Sequence, residues 1–183
     1  MTAALILAAG SGRRMGGPKA LLPVDGETLL RRAARAALDA GCLPVLAVVG
    51  DWDPGLAGWE VQTVFNPEAT EGMASSIRQG ITALAAEEAV LILTVDMPAV
   101  DAALLRRLLA LADADPRRPA ACAYGGTMGV PAVFPRRCFP ELLELRGDRG
   151  AKAILQREGA ASLPFPGGEA DLDTPADLER LRR

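Results

Sequence analysis

Histidine is absent from this 183-residue chain. That absence removes Ser-His-Asp triads, Cys-His nucleophiles and histidine metal sites together, so chemistry falls to carboxylates, Lys, Arg, hydroxyls or a bound metal. Carboxylates combined with a hard cation such as Mg²⁺ best survive this filter. Cysteine is nearly as scarce. Cys42, Cys122 and Cys138 are odd in number, far apart and form no CxxC pair, which argues against a disulfide framework and a zinc site and for reduced, buried thiols. Excess positive charge is missing as well: with a formal charge of -3 the chain has no general attraction for a nucleic-acid backbone. No apolar run reaches the roughly 20 residues of a membrane helix. Even "AVLILTVDMPAV" is interrupted by Asp96 and Pro98. The apolar run Ala3 to Ala9 has no basic segment before it and passes directly into glycines, so it reads as a strand rather than a secretion signal. The expectation is a soluble, cytoplasmic protein with no nucleic-acid or membrane partner.

What is present fits one domain over residues 1–183, with 50% hydrophobic residues to build its core. Strand-length apolar runs alternate with stretches of helical period: "AALILAA", Thr28 to Ala40, "LPVLAVV", "VQTVF", Ala74 to Ala86, "AVLILTV" and Asp101 to Ala114. Near-continuous Val, Ile and Leu without polar alternation predict an α/β fold whose mostly parallel sheet is covered on both faces. Gly41 is a helix stop. In "PAACAYGGTMGVPAVFPRRCF" two β-prone runs flank a glycine turn, which predicts a small antiparallel excursion. At the C-terminus, Thr174 as N-cap, Pro175 at N1 and terminal arginines predict a short helix.

The densest signal is "LAAGSGRRMGGPKALLP", residues 7–23, which follows the first strand. In open α/β sheets the turn after the first strand is a preferred phosphate site. Gly10, Gly12, Gly16 and Gly17 permit close backbone approach, so N–H groups can converge on phosphate oxygens, while Arg13, Arg14 and Lys19 supply charge. Lys19 and Lys152 are the two lysines among twenty basic residues. The dinucleotide fingerprint GxGxxG is missed by one residue in "GSGRRMG", although Asp51 after the next strand is available for a ribose. The kinase-type loop GxxxxGK followed by Ser or Thr fails, because Lys19 follows Pro18 and precedes Ala20.

That stretch resembles the signature of the MobA-like nucleotidyltransferases, particularly the molybdenum cofactor cytidylyltransferases. The resemblance continues in order through "NPEATEGMASSIRQGI", "LTVDMPAV", "GVPAVF", "RGDRGAKAIL" and "DLDTPADL". It implies a Rossmann-like three-layer fold, and transfer of a nucleoside monophosphate from a triphosphate to a phosphorylated acceptor with release of pyrophosphate. It also implies a nucleotide site formed by Ala8, Ala9, Gly10, Ser11, Gly12, Arg14 and Lys19 together with Asn66, Gly72, Ser75 and Ser76. CMP from CTP and a molybdopterin acceptor are the expected pair, because the family's guanylyltransferases usually read "LAGG" where Ala9 stands here in "LAAG". A molybdenum oxidoreductase is a candidate partner.

Each motif also has its own chemistry. Asp96 closes the most apolar strand, where Pro98 blocks further pairing, so a carboxylate there faces the ligand crevice. By resemblance it matches the family's metal-binding aspartate, which makes Arg14, Lys19 and Asp96 the expected catalytic set. Asp171 and Asp173 alternate, so an extended segment turns only one of them toward a metal shared with Asp96. Asp173 matches the family motif, with shared N-capping beside Thr174 as the competing role. Ser75 and Ser76 open a helix after Gly72, where exposed N–H groups and hydroxyls meet an anion or simply cap. Asn66 suits a base or ribose contact, or a turn before Pro67. Arg149 and Lys152 form a second cationic loop, assigned by resemblance to the acceptor, although Val130 stands where many cytidylyltransferases carry histidine. A sugar-1-phosphate nucleotidyltransferase, a non-catalytic cofactor carrier and a dehydrogenase are the competing functions.

Overall fold

The computed structural model describes residues 1–10, 12, 16–169, 172 and 177. Fourteen regular elements alternate as the hydrophobic pattern requires: β1 (Ala3–Leu7), β2 (Pro23–Val24), β3 (Glu27–Thr28), α1 (Leu29–Asp39), β4 (Val45–Val49), β5 (Val61–Phe65), α2 (Met73–Ala83), β6 (Ala89–Thr94), α3 (Ala102–Ala114), β7 (Ala120–Tyr124), β8 (Thr127–Pro135), α4 (Phe139–Leu143), α5 (Lys152–Arg157) and β9 (Ala161–Pro164).

Seven strands form one sheet in the order β5-β4-β1-β6-β8-β7-β9. β5, β4, β1 and β6 pair in parallel, β7 and β9 pair in parallel, and β8 runs against both of its neighbours. The predicted antiparallel excursion is therefore the β7–β8 hairpin, inserted in the middle of the sheet rather than hung from its edge. A second antiparallel pair, β2 with β3, turns through Asp25 and Gly26, both at positive φ.

β1 explains the three layers. All five of its residues are buried, so no polar face exists to be solvated. Ala4 and Ile6 point into the core beneath α1 and α3, while Ala3, Leu5 and Leu7 point into the core beneath α2, α4 and α5. A buried Leu or Ile is worth about 1.5–3 kcal/mol, so this short strand stabilises both layers. α2 crosses it at backbone distance: a Cβ at Gly80 would lie 2.2 Å from Leu5 Cδ1.

The helix ends follow local chemistry. Thr28 Oγ1 accepts from Arg31 N at 3.3 Å to open α1, Gly41 sits at φ +87° after it, and Asp101 Oδ1 accepts from Leu104 N at 2.8 Å to open α3. α2 stops at Ala83, earlier than its sequence period suggests, where Leu84 N bonds back to Gly80 O. β1 stops at Leu7, and the buried Ala8 and Ala9 lead on from it. The expected C-terminal helix from Thr174 lies outside the described residues. No helix among the described residues is long and apolar enough to cross a membrane. Because β1, β4, β5 and β6 are parallel, the loops after them gather at one edge of the sheet.

Candidate active site

Two residues 77 positions apart in sequence meet at that edge. Pro18 starts a single 3₁₀ turn over Lys19–Leu21, closed by Leu21 N to Pro18 O and Leu22 N to Lys19 O at 3.0 Å each, with Ala20 wholly buried beneath it. That anchor aims Lys19 across the end of β1 toward the end of β6, where Nζ lies 3.8 Å from Asp96 Oδ2. Both side chains remain open to solvent, at 20% and 29% exposure, as groups that receive a ligand must be. Arg14 and Ser11 lie outside the described residues.

The glycine-rich loop folds back on itself. Gly12 sits at φ +55°, and a Cβ on it would lie 1.9 Å from Gly17 O and 2.9 Å from Lys19 N. Only glycine fits, because the obstructing atoms are backbone. Gly10 is exposed at the mouth of this turn, directly after the buried Ala8 and Ala9.

Leu172 reaches the same place. Leu172, which stands between Asp171 and Asp173, is buried and donates from its N to the carbonyl oxygen of Asp96 at 2.9 Å. Asp171 and Asp173 themselves lie outside the described residues. Among the described residues no three Asp, Glu or Cys side chains cluster as a complete metal cage. A solvent-open carboxylate at a strand end nonetheless suits a hard divalent cation that keeps several waters and takes the rest of its oxygens from phosphates.

Asn66, Ser75 and Ser76 come together through bonds to one another. They are buried at 2%, 1% and 6% exposure, and Asn66 Nδ2 donates to Ser75 Oγ at 2.9 Å and to Ser76 Oγ at 3.0 Å. Asn66 Oδ1 accepts from Glu68 N, and Ser75 Oγ donates to Gly72 O. Both amide hydrogens of Asn66 are thus used within the protein. The triad pins the end of β5 to the first turn of α2, and the hydroxyls are not offered to solvent.

That helix start is also closed by the second cationic loop. Ala74 N donates to Gly147 O at 3.0 Å, and a Cβ on Gly72, at φ +123°, would meet Gly147 C and O at 2.6 Å. Sequence reasoning missed the side chains that hold this junction, because nothing in a local motif reveals a partner some seventy residues away. Arg78 donates to Glu71 and to Leu145 O, and Glu71 accepts from Gly147 N. The Arg78 hydrogen bond, with help from Gly147 N–H, lowers the Glu71 carboxyl to about 2. Arg149 and Lys152 are exposed and share a cavity of about 620 Å³ with Arg146, Arg157, Glu141 and Glu144. Lys19 and Asp96 do not line that cavity.

The MobA-like NTP transferase domain matches residues 4–162. Nicotine blue oxidoreductase of Paenarthrobacter nicotinovorans is 33% identical over 84% of this chain and 81% of its own. The molybdenum cofactor guanylyltransferase of Rhodobacter capsulatus is 30% identical over 97% of this chain and 93% of its own. Among solved structures, Rv0371c from Mycobacterium tuberculosis superposes with a TM-score of 0.80 at 28% identity, covering 99% of this chain and 98% of that one. Rv0371c has also been solved in complex with manganese. The mostly parallel seven-stranded sheet agrees with these likenesses, and the chain belongs to the MobA-like NTP transferase family of nucleotidyltransferases.

Proposed function

We propose that this chain transfers CMP from CTP to a phosphorylated acceptor, molybdopterin being the expected one, and releases pyrophosphate. The observation that carries this reading is the pairing of Lys19 with Asp96 across the end of β1, beside a loop that only glycine can form.

The chemistry needs no protein nucleophile. An acceptor phosphate oxygen attacks the α-phosphorus in line, the bond from Pα to the bridging oxygen of Pβ breaks, and the electron pair leaves on pyrophosphate. An acceptor phosphate is already largely ionised at neutral pH, so the missing histidine removes nothing that the reaction requires. Charge and alignment dominate the barrier, because two anions must meet. Lys19, a compact cation, neutralises charge growing on the leaving pyrophosphate, and Arg14 is assigned to the same triphosphate. The N–H groups of the loop from Gly10 to Gly12 hold the phosphate oxygens. Asp96, with Asp173 as its assigned companion, would hold a divalent cation, Mg²⁺ being the expected one. Such a cation, when bound, supplies charge neutralisation between reacting phosphates. Asn66, Ser75 and Ser76 act by fixing the shape of the nucleotide site through their internal bonds. Arg149 and Lys152 offer positive charge to the acceptor.

GMP transfer is the rival, favoured by relatives that are named molybdenum cofactor guanylyltransferases. Ala9 favours cytidine, because the family's guanylyltransferases usually carry glycine there. Pyrophosphate release with Mg²⁺ separates the two: each of CTP, GTP, ATP and UTP is offered with molybdopterin, and again with a panel of sugar 1-phosphates. Release from CTP with molybdopterin is expected. Release from GTP alone overturns the base assignment, and release with a sugar phosphate alone overturns the acceptor.

A further inference from the structure

β4 lies beside β1 on the side opposite β6, and the residues after it close that flank of the edge. Gly50 follows the strand at an ordinary φ, so no turn demands a glycine there. Trp52 demands it instead. Its backbone N donates to Gly50 O at 3.0 Å, and its ring folds back over the Gly50 Cα. A Cβ on Gly50 would lie 2.5 Å from Trp52 Nε1, 3.0 Å from Cδ1 and 3.6 Å from the carbonyl oxygen of Ala9. The pyrrole edge of the indole therefore occupies the space above Gly50, next to the residue that leads into the glycine loop.

The segment is held in place from behind. Arg31 Nε donates to Gly55 O at 2.9 Å, Asp53 Oδ1 accepts from Gly55 N at 2.9 Å, and Leu56 is buried in the core. The Arg35 guanidinium stacks 5.0 Å from the ring centroid of Trp59. Trp52 itself is half-buried, which leaves part of its ring accessible on a pre-organised support. Charge divides this edge of the sheet. The Lys19–Asp96 pair, suited to phosphates and a cation, stands on the β6 side. The exposed Asp51 and Asp53 flank Trp52 on the β4 side, where two carboxylates repel a phosphate chain. The uncharged end of a nucleotide is the part that fits there.

We propose that Trp52 is a wall of the nucleobase subsite and helps to determine which base is accepted, an inference that rests on the nucleotidyl-transfer reading above. An aromatic face gives stacking area to a base, and its limited reach favours one ring size over another.

Fluorescence tests this directly, because the chain has two tryptophans. Trp59→Phe keeps an aromatic ring beside Arg35 and leaves Trp52 as the sole emitter. With Mg²⁺ present, the emission should change on titration with CTP or with whichever triphosphate calorimetry shows to bind, and the two half-saturation points should coincide. Inorganic triphosphate, which has no base, should bind without that change. In the otherwise native chain, Trp52→Ala should raise the nucleotide KM at least about fivefold, the low end of what base–aromatic stacking contributes, with a smaller effect on kcat. It should also alter the ratio of kcat/KM between CTP and GTP, and Trp52→Phe should restore most of both. Calorimetric binding with unchanged Trp52 emission, or a Trp52→Ala enzyme with native KM and native base ratio, would overturn the proposal. Absence of calorimetric binding for all four triphosphates would overturn the nucleotidyl-transfer reading and this inference with it. Calorimetry does not depend on Trp52, so the two failures are told apart; if Trp52→Ala fails to fold, the Trp59→Phe titration still decides.

Discussion

Replacing Gly12 by alanine should disable the nucleotide loop while sparing the rest of the fold. The added Cβ would stand 1.9 Å from Gly17 O, where real Cβ contacts do not fall below 3.0 Å, so backbone must shift by about 1 Å. Neither obstructing group is a flexible side chain that can swing away. The residue would also have to hold φ near +55°, which costs an L-amino acid about 1–2 kcal/mol. Strain of that size lowers the melting temperature of a chain this long by about 2–8 °C. The catalytic effect should be larger, because a 1 Å misplacement of positioning groups costs on the order of 100-fold. Steady-state pyrophosphate release should therefore show kcat/KM down about 100-fold, with circular dichroism at assay temperature unchanged. Gly17→Ala is the matched control: its Cβ meets nothing within 4 Å and its φ is not positive, so activity should stay within about threefold of native. A Gly12→Ala enzyme with native kcat/KM, or a Gly17→Ala enzyme impaired to the same degree, would refute the reasoning.

Asp96→Asn keeps the shape and removes the charge, and should lower kcat by about 1,000-fold or more. Lys19→Ala should lower kcat/KM by about 100- to 1,000-fold, and both variants should melt close to native, because partly exposed ion pairs contribute about 0–1 kcal/mol. Glu71, held near 2 against an ordinary 4.5, contributes stability that is fully present above pH 4.5 and lost as pH falls toward 2. Melting temperatures followed from pH 5 to 2.5 should thus fall more steeply for the native chain than for Glu71→Gln; parallel curves would contradict the Glu71–Arg78–Gly147 junction. Burial pushes the Cys42 thiol up to about 11 and the Cys122 thiol up to about 12, so an aromatic disulfide reagent at pH 8 should leave both intact until denaturant is added. Rapid stoichiometric labelling of the folded protein would contradict that burial.

Much of the architecture was legible because it depends on local pattern. Continuous apolar runs such as Ala3–Leu7 are incompatible with a solvated face, and they mark strands covered on both sides. Gly41 acts as a helix stop through its own backbone at φ +87°, so its type suffices to identify it, and Thr28 and Asp101, where two helical stretches begin in the sequence, are the N-caps of α1 and α3. The close backbone approach at Gly12 was legible for a similar reason, because glycine density marks backbone that leaves no room for a side chain. What the sequence hid is long-range. Asn66, Ser75 and Ser76 carry side chains that look equally suited to a ligand or to one another, and only the packing of β5 on α2 reveals that they bond internally. Arg78 gives no local sign that it reaches Leu145 O, nor Leu172 that it meets the carbonyl of Asp96. Gly50 looks like any turn glycine until the Trp52 ring is seen to occupy the place of its side chain.

The most direct test of nucleotidyl transfer follows the α-phosphorus. CTP labelled at the α-phosphate is incubated with the enzyme, Mg²⁺ and molybdopterin, and the products are separated. The label should appear in the acceptor conjugate, one equivalent for each pyrophosphate released, and Asp96→Asn should abolish both. Label recovered as CDP with inorganic phosphate, or CTP returned intact with every acceptor offered, would contradict the central claim.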